Sequence, residues 1–268
     1  MGPGMTALDV TESMHDATAE PMLVVDHVSK TFRRRGQTTL ALDGVDLHVG
    51  RGELVCLVGA SGCGKSTLLS IVAGLEEPTS GAVLVEGDRV VGPGADRGMV
   101  FQGYSLYPWK TVAQNIAFGL EVARWPRARR RERVAELLGV VGLTEFADAL
   151  PRELSGGMRQ RVAIARALAP QPDVLLLDEP FGALDAQTKR HMQDFLLGIW
   201  RQLGATILMV THDVDEAVYL SSRIYVMSAR PGRIAEEVQI PFGTVRGPHV
   251  RRDPRFLDVR DEINEMLG

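Results

Sequence analysis

The chain has few cysteines and no long apolar run, the features of disulfide-rich and of membrane-spanning proteins respectively. Only 2 of its 268 residues are cysteine, Cys56 and Cys63, which excludes a disulfide scaffold and suits a reducing compartment. No apolar run approaches the length of about 18 residues that a membrane span needs, and the strongest, Leu68–Leu75, is far shorter. The first residues lack the basic start and apolar stretch of a signal peptide. We therefore expect a cytosolic protein that meets a membrane only through a partner.

An excess of basic charge is missing as well. The chain carries 30 Lys+Arg against 34 Asp+Glu, a net charge of −4, whereas nucleic-acid binders usually show a basic excess. A nucleic-acid partner is therefore not expected. Residues 1–20 contain acids but no Lys or Arg, and few large apolar side chains, so we expect a disordered acidic tail over residues 1–21.

Short apolar runs bounded by turn residues recur along the chain and predict buried strands. They start near Leu23 and continue at Glu53–Val58, Ala82–Val85, Met99–Phe101, Val174–Leu177, Thr206–Val210 and Ile224–Met227. Helical patterns lie between several of them, at Lys65–Ala73, Arg127–Val140, Gly156–Leu168, Ala186–Leu203 and Asp213–Leu220. This alternation predicts an α/β layer fold.

Two segments depart from the alternation. From about residue 104 to residue 169 the patterns are helical without a convincing strand, which predicts a helical subdomain inserted into the domain of residues 22–250. Within residues 251–268, Asp253 can cap a helix and Pro254 suits its first position, which predicts a C-terminal amphipathic helix. The six arginines of residues 124–133 favour a solvated helix face over contact with anionic lipid.

A glycine-rich segment follows the predicted strand Glu53–Val58 and opens the next predicted helix. It reads Gly59-Ala60-Ser61-Gly62-Cys63-Gly64-Lys65-Ser66-Thr67 and fits the pattern G-x-x-x-x-G-K-[ST]. Glycines let successive backbone N–H groups converge on phosphate oxygens, and the helix N-terminus adds a positive dipole end. Lys65 would supply charge to the β- and γ-phosphates, and Ser66 a hydroxyl ligand for Mg²⁺. A turn without a ligand is disfavoured, because the chain has only four lysines and the pattern has the required strand–loop–helix placement.

Two carboxylates end the apolar strand Val174–Leu177. An acid pair at the tip of a buried strand is unfavourable without a ligand or partner. In a phosphate-loop protein, Asp178 would hold Mg²⁺ through its water shell and Glu179 would accept a proton from the attacking water. His212 ends the strand Thr206–Val210, where α/β sheets place ligands, and is expected to contact the γ-phosphate. The alternative for the two carboxylates is a solvated strand end without a ligand, and the alternative for His212 is a purely structural role.

Further segments stand in a fixed order around these motifs. Leu154-Ser155-Gly156-Gly157-Met158-Arg159-Gln160-Arg161 is similar to a signature usually written L-S-G-G-Q, Gln102 to a Q-loop glutamine, and Leu184-Asp185 to a D-loop. His212 is similar to a switch histidine, and Phe32 to an aromatic that stacks on adenine. Over about residues 22–240 the chain resembles the ATP-binding subunit of ABC transporters.

The resemblance implies a fold and a set of site residues. The fold is an α/β P-loop NTPase (RecA-like) core with an inserted helical subdomain and an N-terminal antiparallel β region. The cofactors are ATP and Mg²⁺, with Gln102, Ser66 and Asp178 around the metal. Gln102, Glu179 and His212 would act in hydrolysis.

The resemblance also implies partners. The family closes two subunits head to tail, so Ser155, Gly156, Gly157 and Asp185 would complete the nucleotide site of a second copy. Ser155 suits an N-cap, and the two glycines bare the first amides of a helix, an end that binds anions. Integral-membrane permease subunits, and indirectly a solute-binding protein, are the other expected partners, at the cytoplasmic face of the cell membrane. The aromatic and apolar segment 104–109 is expected to contact the permease. The alternative is that it is an ordinary loop packed within the chain.

Four segments narrow the resemblance to the nitrate/sulfonate/taurine-type importers: Gly92–Gly98, Leu106–Trp109, Asp178–Asp185 and Ala229–Ile234. The alternative is a non-transport ATPase of the DNA-repair or chromosome type. Such proteins carry a long coiled coil between the phosphate loop and the signature, and here about 90 residues without sustained heptads separate them. A small-molecule kinase would not need the signature or His212.

Overall fold

The computed structural model describes residues 21–34 and 36–268. The disorder expected for residues 1–21 therefore falls, except for Pro21, outside the described residues. No helix in the described part of the chain combines the length and apolarity needed to cross a bilayer.

The described residues form ten strands and seven α-helices. The strands are β1 (Leu23–Arg34), β2 (Gln37–Val49), β3 (Leu54–Gly59), β4 (Ser80–Val85), β5 (Asp88–Arg89), β6 (Arg97–Val100), β7 (Val174–Asp178), β8 (Thr206–Thr211), β9 (Arg223–Met227) and β10 (Ile234–Gln239). The helices are α1 (Lys65–Val72), α2 (Val112–Val122), α3 (Arg127–Val140), α4 (Gly156–Leu168), α5 (Ala186–Leu203), α6 (Val214–Leu220) and α7 (Pro254–Leu267).

The strands form two sheets. The smaller sheet has the order β2-β1-β4-β5 with antiparallel pairing throughout. The larger has the order β10-β9-β3-β8-β7-β6, in which only the edge strand β10 pairs antiparallel. Val58 of β3 is opposite Thr211 of β8, and Asp178 of β7 is opposite Val210. The carboxyl ends of β3, β7 and β8 therefore meet at one edge, where α/β sheets bind ligands.

The inner strands of the larger sheet, β3, β7, β8 and β9, are buried on both faces. Along β3, Leu54, Cys56 and Val58 belong to one apolar cluster, and Val55 and Leu57 belong to another. The first cluster also contains residues of α2 to α7, and the second joins α1 to the smaller sheet. Burial on both faces explains why these strands read as continuous apolar runs. Cys56 and Cys63 are both buried and unpaired with each other, as expected.

The insertion between β6 and β7 is helical. Residues 104–169 are all described and contain α2, α3 and α4, two short 3-10 helices and no strand. Thr111 starts α2 with a capping box: its side chain accepts from the N–H of Gln114, whose side chain accepts from the N–H of Thr111. Reciprocal capping of this kind satisfies two otherwise unpaired backbone donors.

Helix α7 is docked on the core. Asp253 caps it by accepting from the N–H of Arg255 at 3.0 Å. Phe256 and Ile263 are buried in the same apolar cluster as the strands, and Val259 and Leu267 pack against it. The predicted apolar face of this helix is therefore the face that it buries.

Candidate active site

The glycine-rich segment runs from the end of β3 into α1. Lys65 is buried, and its Nζ donates to the carbonyl oxygens of Gly59 at 2.6 Å and Ala60 at 3.1 Å. Gly64 has a φ of 117°, and a Cβ there would lie 2.7 Å from Cδ2 of Leu42. Only glycine suits both the backbone angle and the space. The loop thus wraps around an ammonium group at the N-terminus of α1, as phosphate binding requires.

A hydroxyl and a carboxylate meet beside this loop. Ser66 Oγ donates to Asp178 Oδ1 at 3.0 Å, which joins the start of α1 to the end of β7. Burial raises the pKa of the Asp178 carboxyl, while the hydrogen bond from Ser66 acts in the opposite direction. Hard oxygen ligands of this kind are what Mg²⁺ prefers. The two side chains fit the metal role predicted for them.

Glu179 is the centre of a second cluster. Its Oε2 lies 3.3 Å from Gln102 Nε2 and 3.1 Å from His212 Nδ1. These three side chains come from the ends of three strands, β6, β7 and β8. The hydrogen bond of the Gln102 side chain in this structure goes to Glu179, and Gln102 lines the same cleft as Ser66. The carboxylate of Glu179 can accept a proton, and the side chains of Gln102 and His212 can hold it in a fixed orientation.

The backbone of Glu179 is in a costly conformation. Its φ is 42°, in the left-handed region that non-glycine residues rarely adopt. The N–H of Glu179 donates to Val210 O at 3.0 Å, and its carbonyl accepts from Gly182 at 3.1 Å. Such strain costs on the order of 1–3 kcal/mol and concentrates at functional sites. Since the surrounding hydrogen bonds hold this geometry, we infer that it serves to aim the carboxylate.

A charge cluster around the buried carboxylate of Glu216 holds the segment that carries His212, and sequence reasoning missed it. Lys189 Nζ lies 2.6 Å from Asp213 Oδ2 and 3.1 Å from Glu216 Oε2. Asp213 also caps α6 by accepting from the N–H of Glu216. Burial raises the pKa of the Glu216 carboxyl, and the Lys189 ammonium opposes that rise. Because Lys189 lies on α5, the cluster ties α5 to the residue next to His212.

Replacing Lys189 by methionine is expected to lower stability by about 2 kcal/mol, because the buried Glu216 carboxylate loses its cation. Without that cation the pKa of Glu216 rises further in the folded state, so the folded chain binds a proton that the unfolded chain releases. Stability of the variant then falls as pH rises. Melting temperatures at pH 6 and pH 8 test this: the deficit relative to wild type should be larger at pH 8. Lys189→Arg keeps the charge and is the control; a deficit independent of pH would contradict the account.

A cleft of about 920 Å³ connects the glycine-rich loop to an aromatic side chain. Phe32, on β1, lines the cleft and is 38% exposed, with Lys30 Nζ 5.0 Å from the ring centroid. Gln102 and Glu179 line the same cleft. One flat aromatic surface, a phosphate loop and a carboxylate therefore share a single space, which suits a nucleoside polyphosphate.

The signature lies outside the residues that line this cleft. Ser155 caps α4, its Oγ accepting from the N–H of Met158 at 3.3 Å, and Asp185 caps α5 through the N–H groups of Gln187 and Thr188. These backbone hydrogen bonds lower the pKa of Asp185. Among the described residues that line the cleft, none belongs to 155–157 and none is Asp185. The chain thus carries the loop and the signature at two different places.

The paired glycines of the signature also have an intrachain reason. A Cβ at Gly157 would lie 2.9 Å from Cγ2 of Thr188, and one at Gly156 would lie 3.2 Å from Cδ2 of Leu184. The start of α4 therefore packs closely against the D-loop and α5. Exposed amides are not the only explanation for these glycines.

Comparison with known proteins assigns the family. The family model described as "ABC transporter" matches residues 42–182. The chain belongs to the ABC transporter family. The predicted family and the predicted α/β fold are confirmed.

Curated relatives of this ABC chain match it over most of its length. It is 51% identical over 251 residues to the nitrate import ATP-binding protein NrtD of Synechocystis sp., covering 91% of this chain and 94% of the relative. It is 47% identical over 254 residues to the taurine import ATP-binding protein TauB of Rhizobium johnstonii, covering 92% and 96%.

A solved structure supports the fold of this ABC chain. The ATP-binding cassette MJ0796, as a dimer in a post-hydrolysis state bound to ADP and phosphate, is 33% identical with a TM-score of 0.71. The match covers 83% of this chain and 100% of that one.

Proposed function

We propose that this ABC chain is the ATP-hydrolysing subunit of an importer for a small solute such as nitrate, taurine or a related sulfonate. The observation that carries the proposal is the joint placement of the phosphate loop, the Ser66–Asp178 pair and the Gln102–Glu179–His212 cluster around one sheet edge. The import functions named for the two curated relatives support the transport role.

ATP binding uses groups that the cleft already presents. The adenine stacks on Phe32, and the backbone of residues 59–67 surrounds the phosphates. Lys65 turns its ammonium from the carbonyls of the loop to the β- and γ-phosphates. Ser66 and Asp178, with Gln102 nearby, would hold Mg²⁺, which would neutralise charge on the phosphate oxygens. These contacts set the affinity for the nucleotide.

Hydrolysis depends on Glu179. Its carboxylate accepts the proton of the attacking water, since it lies at the γ-phosphate end of the cleft and both neighbours hold it in place. His212 contacts the γ-phosphate and steadies the carboxylate through Nδ1, and Gln102 donates to the same oxygen. The strained backbone of Glu179 aims the group before ATP arrives.

Two copies are needed for a complete site. The signature lies outside the chain's own cleft, so its capped helix end is free to meet the γ-phosphate in a second copy. In a head-to-tail pair, Ser155, Gly156 and Gly157 of each copy close the nucleotide site of the other, with Asp185 beside them. The dimeric state of MJ0796 supports this arrangement.

Dimer closure drives transport. ATP stabilises the closed pair and its hydrolysis products stabilise the open pair, so the differential affinity of the two states performs the work. Integral-membrane permease subunits convert closing and opening into alternating access, and a solute-binding protein delivers the solute. The chain acts as a peripheral subunit at the cytoplasmic face of the membrane.

The class of solute is tested in the cell. Deletion of the gene should remove growth on nitrate as sole nitrogen source, or on taurine or another sulfonate as sole sulfur source. The wild-type gene should restore growth, and the Glu179→Gln variant should not. Undiminished growth of the deletion strain on every one of these sources would contradict the proposed solute class.

Replacing Ser155 by arginine is expected to block dimer closure without changing nucleotide binding by the monomer. The added side chain occupies the helix end that meets the second copy, while the chain's own cleft stays intact. Calorimetric titration of ATP should give a Kd within about twofold of wild type, and hydrolysis should fall by about 100-fold or more. Loss of ATP binding in the isolated monomer would contradict the assignment across subunits.

A further inference from the structure

An arginine without a role in the proposed mechanism lies against the phosphate loop. Arg230 stands in the turn between β9 and β10, and its Nε donates to the carbonyl oxygen of Gly62 at 2.7 Å. It also lines the 920 Å³ cleft together with Phe32 and Lys65. The residue is exposed and lines the cleft, so a ligand that enters the cleft can reach its charge.

The position of Arg230 is set by the backbone around it. In the same turn, Gly232 N–H donates to Ala41 O at 2.9 Å, and Gly232 O accepts from Asp43 N–H at 3.0 Å. A Cβ at Gly232 would lie 2.2 Å from the carbonyl oxygen of Cys63. The turn therefore packs directly on β2 and on the phosphate loop, and a side chain there would separate them. This packing holds the guanidinium group at the loop.

The chemistry of the group suits phosphate. A guanidinium carries five N–H donors in a planar fork, and the hydrogen bond to Gly62 uses only Nε. The two Nη nitrogens of Arg230 have no hydrogen-bond partner among the described residues. Arg33 also lines the cleft, but Arg230 is the arginine that hydrogen-bonds to the loop itself. A fork of this kind forms short, charge-assisted hydrogen bonds to phosphate oxygens.

We propose that Arg230 is a second cation for the polyphosphate of the bound nucleotide. Lys65 contacts the phosphates from inside the loop, and Arg230 contacts them from the β9–β10 turn at the Gly62 side of the loop. The inference rests on the proposed function, because it requires that the cleft bind a nucleoside di- or triphosphate. It assigns part of the nucleotide affinity to a residue outside the phosphate loop.

Titration of Mg·ADP into the full chain tests the inference. ADP is not hydrolysed, so the measured Kd reports binding alone. Arg230→Gln should raise the Kd about tenfold, because a charge-assisted hydrogen bond is lost. The variant should also show a weaker dependence of Kd on salt concentration, because one charge no longer meets the phosphates. Arg230→Lys keeps the charge and should retain the salt dependence of wild type.

Arg233 provides a matched control in the same turn. It pairs with Asp43 and is not among the described residues that line the cleft, so Arg233→Gln should leave the Kd within about twofold of wild type. Melting temperatures verify that all variants fold.

Three results would overturn the inference. They are a Kd for Arg230→Gln within twofold of wild type, an equal loss in Arg233→Gln, or a weakened Arg230→Gln that keeps the wild-type salt dependence. The last result would mean that the loop is distorted. A wild-type chain that binds no ADP would instead overturn the proposed function, and this inference with it.

Discussion

Replacing Glu179 by glutamine is expected to lower the rate of ATP hydrolysis by about 10²–10⁴-fold, the usual contribution of a general base. Glutamine has nearly the shape of glutamate and can still bond to His212, but it cannot accept a proton from water. ATP binding should persist, because the phosphate loop and the Ser66–Asp178 pair are untouched. The variant should therefore accumulate the ATP-bound pair of chains. Phosphate release and nucleotide affinity, measured on the same preparation, check both parts.

A control substitution distinguishes the loss of the general base from the loss of one negative charge. Glu236 is an exposed residue of β10, away from the cleft, and Glu236→Gln removes the same charge. Its hydrolysis rate should equal that of wild type. If Glu179→Gln turns over ATP at the wild-type rate, Glu179 is not the base and the proposed mechanism is wrong.

Replacing Lys65 by alanine is expected to abolish ATP binding at micromolar nucleotide. The ammonium is the cation inside the loop, and each charge-assisted hydrogen bond to phosphate is worth about 1.5–3 kcal/mol. Two such bonds correspond to an increase in Kd of about 100-fold or more. Calorimetric titration with ATP measures the loss.

Lys110 offers the control for this variant. It lies in the loop before α2, with its Nζ 5.6 Å from the ring centroid of Phe118, and it does not line the cleft. Lys110→Ala should bind ATP as wild type does. Wild-type affinity in the Lys65→Ala variant would contradict the assignment of the phosphate loop.

The elements predicted most accurately from sequence are those with a regular pattern of burial. Strands β3, β7, β8 and β9 are buried on both faces, so their apolar runs end within one residue of the predicted bounds. Helices α3, α4 and α5 start and end at the predicted residues, since polar and apolar residues alternate with the helical period and caps mark the starts of α4 and α5.

Two of the strands that sequence reasoning missed, β2 and β10, are exposed over much of their length. Strand β2 begins with four exposed residues and alternates only in its second half. In the edge strand β10 none of the six residues is buried. Their stability comes from pairing with β1 and β9, which are distant contacts that a local pattern does not record.

The residues of the candidate site also fall into two groups, those that lie in local sequence motifs and those that depend on distant contacts. Lys65, Ser66, Asp178, Glu179 and His212 lie in local motifs at strand ends, so their convergence followed from the predicted α/β fold, in which ligands bind at the ends of strands. Lys189 and Arg230 act through partners 24 and 168 residues away in the sequence. Only the folded chain brings such groups together, and a lysine in a helix or an arginine in a turn carries no local signal of its role.

The central claim is that two chains complete each other's nucleotide sites, and the mass of the Glu179→Gln variant in solution tests it most directly. Light scattering on the purified variant should give a monomer without nucleotide and a dimer with ATP. The double variant Ser155→Arg/Glu179→Gln should remain a monomer under both conditions. The claim would be contradicted if the single variant stayed monomeric with ATP bound while the wild-type monomer hydrolysed ATP at its full rate.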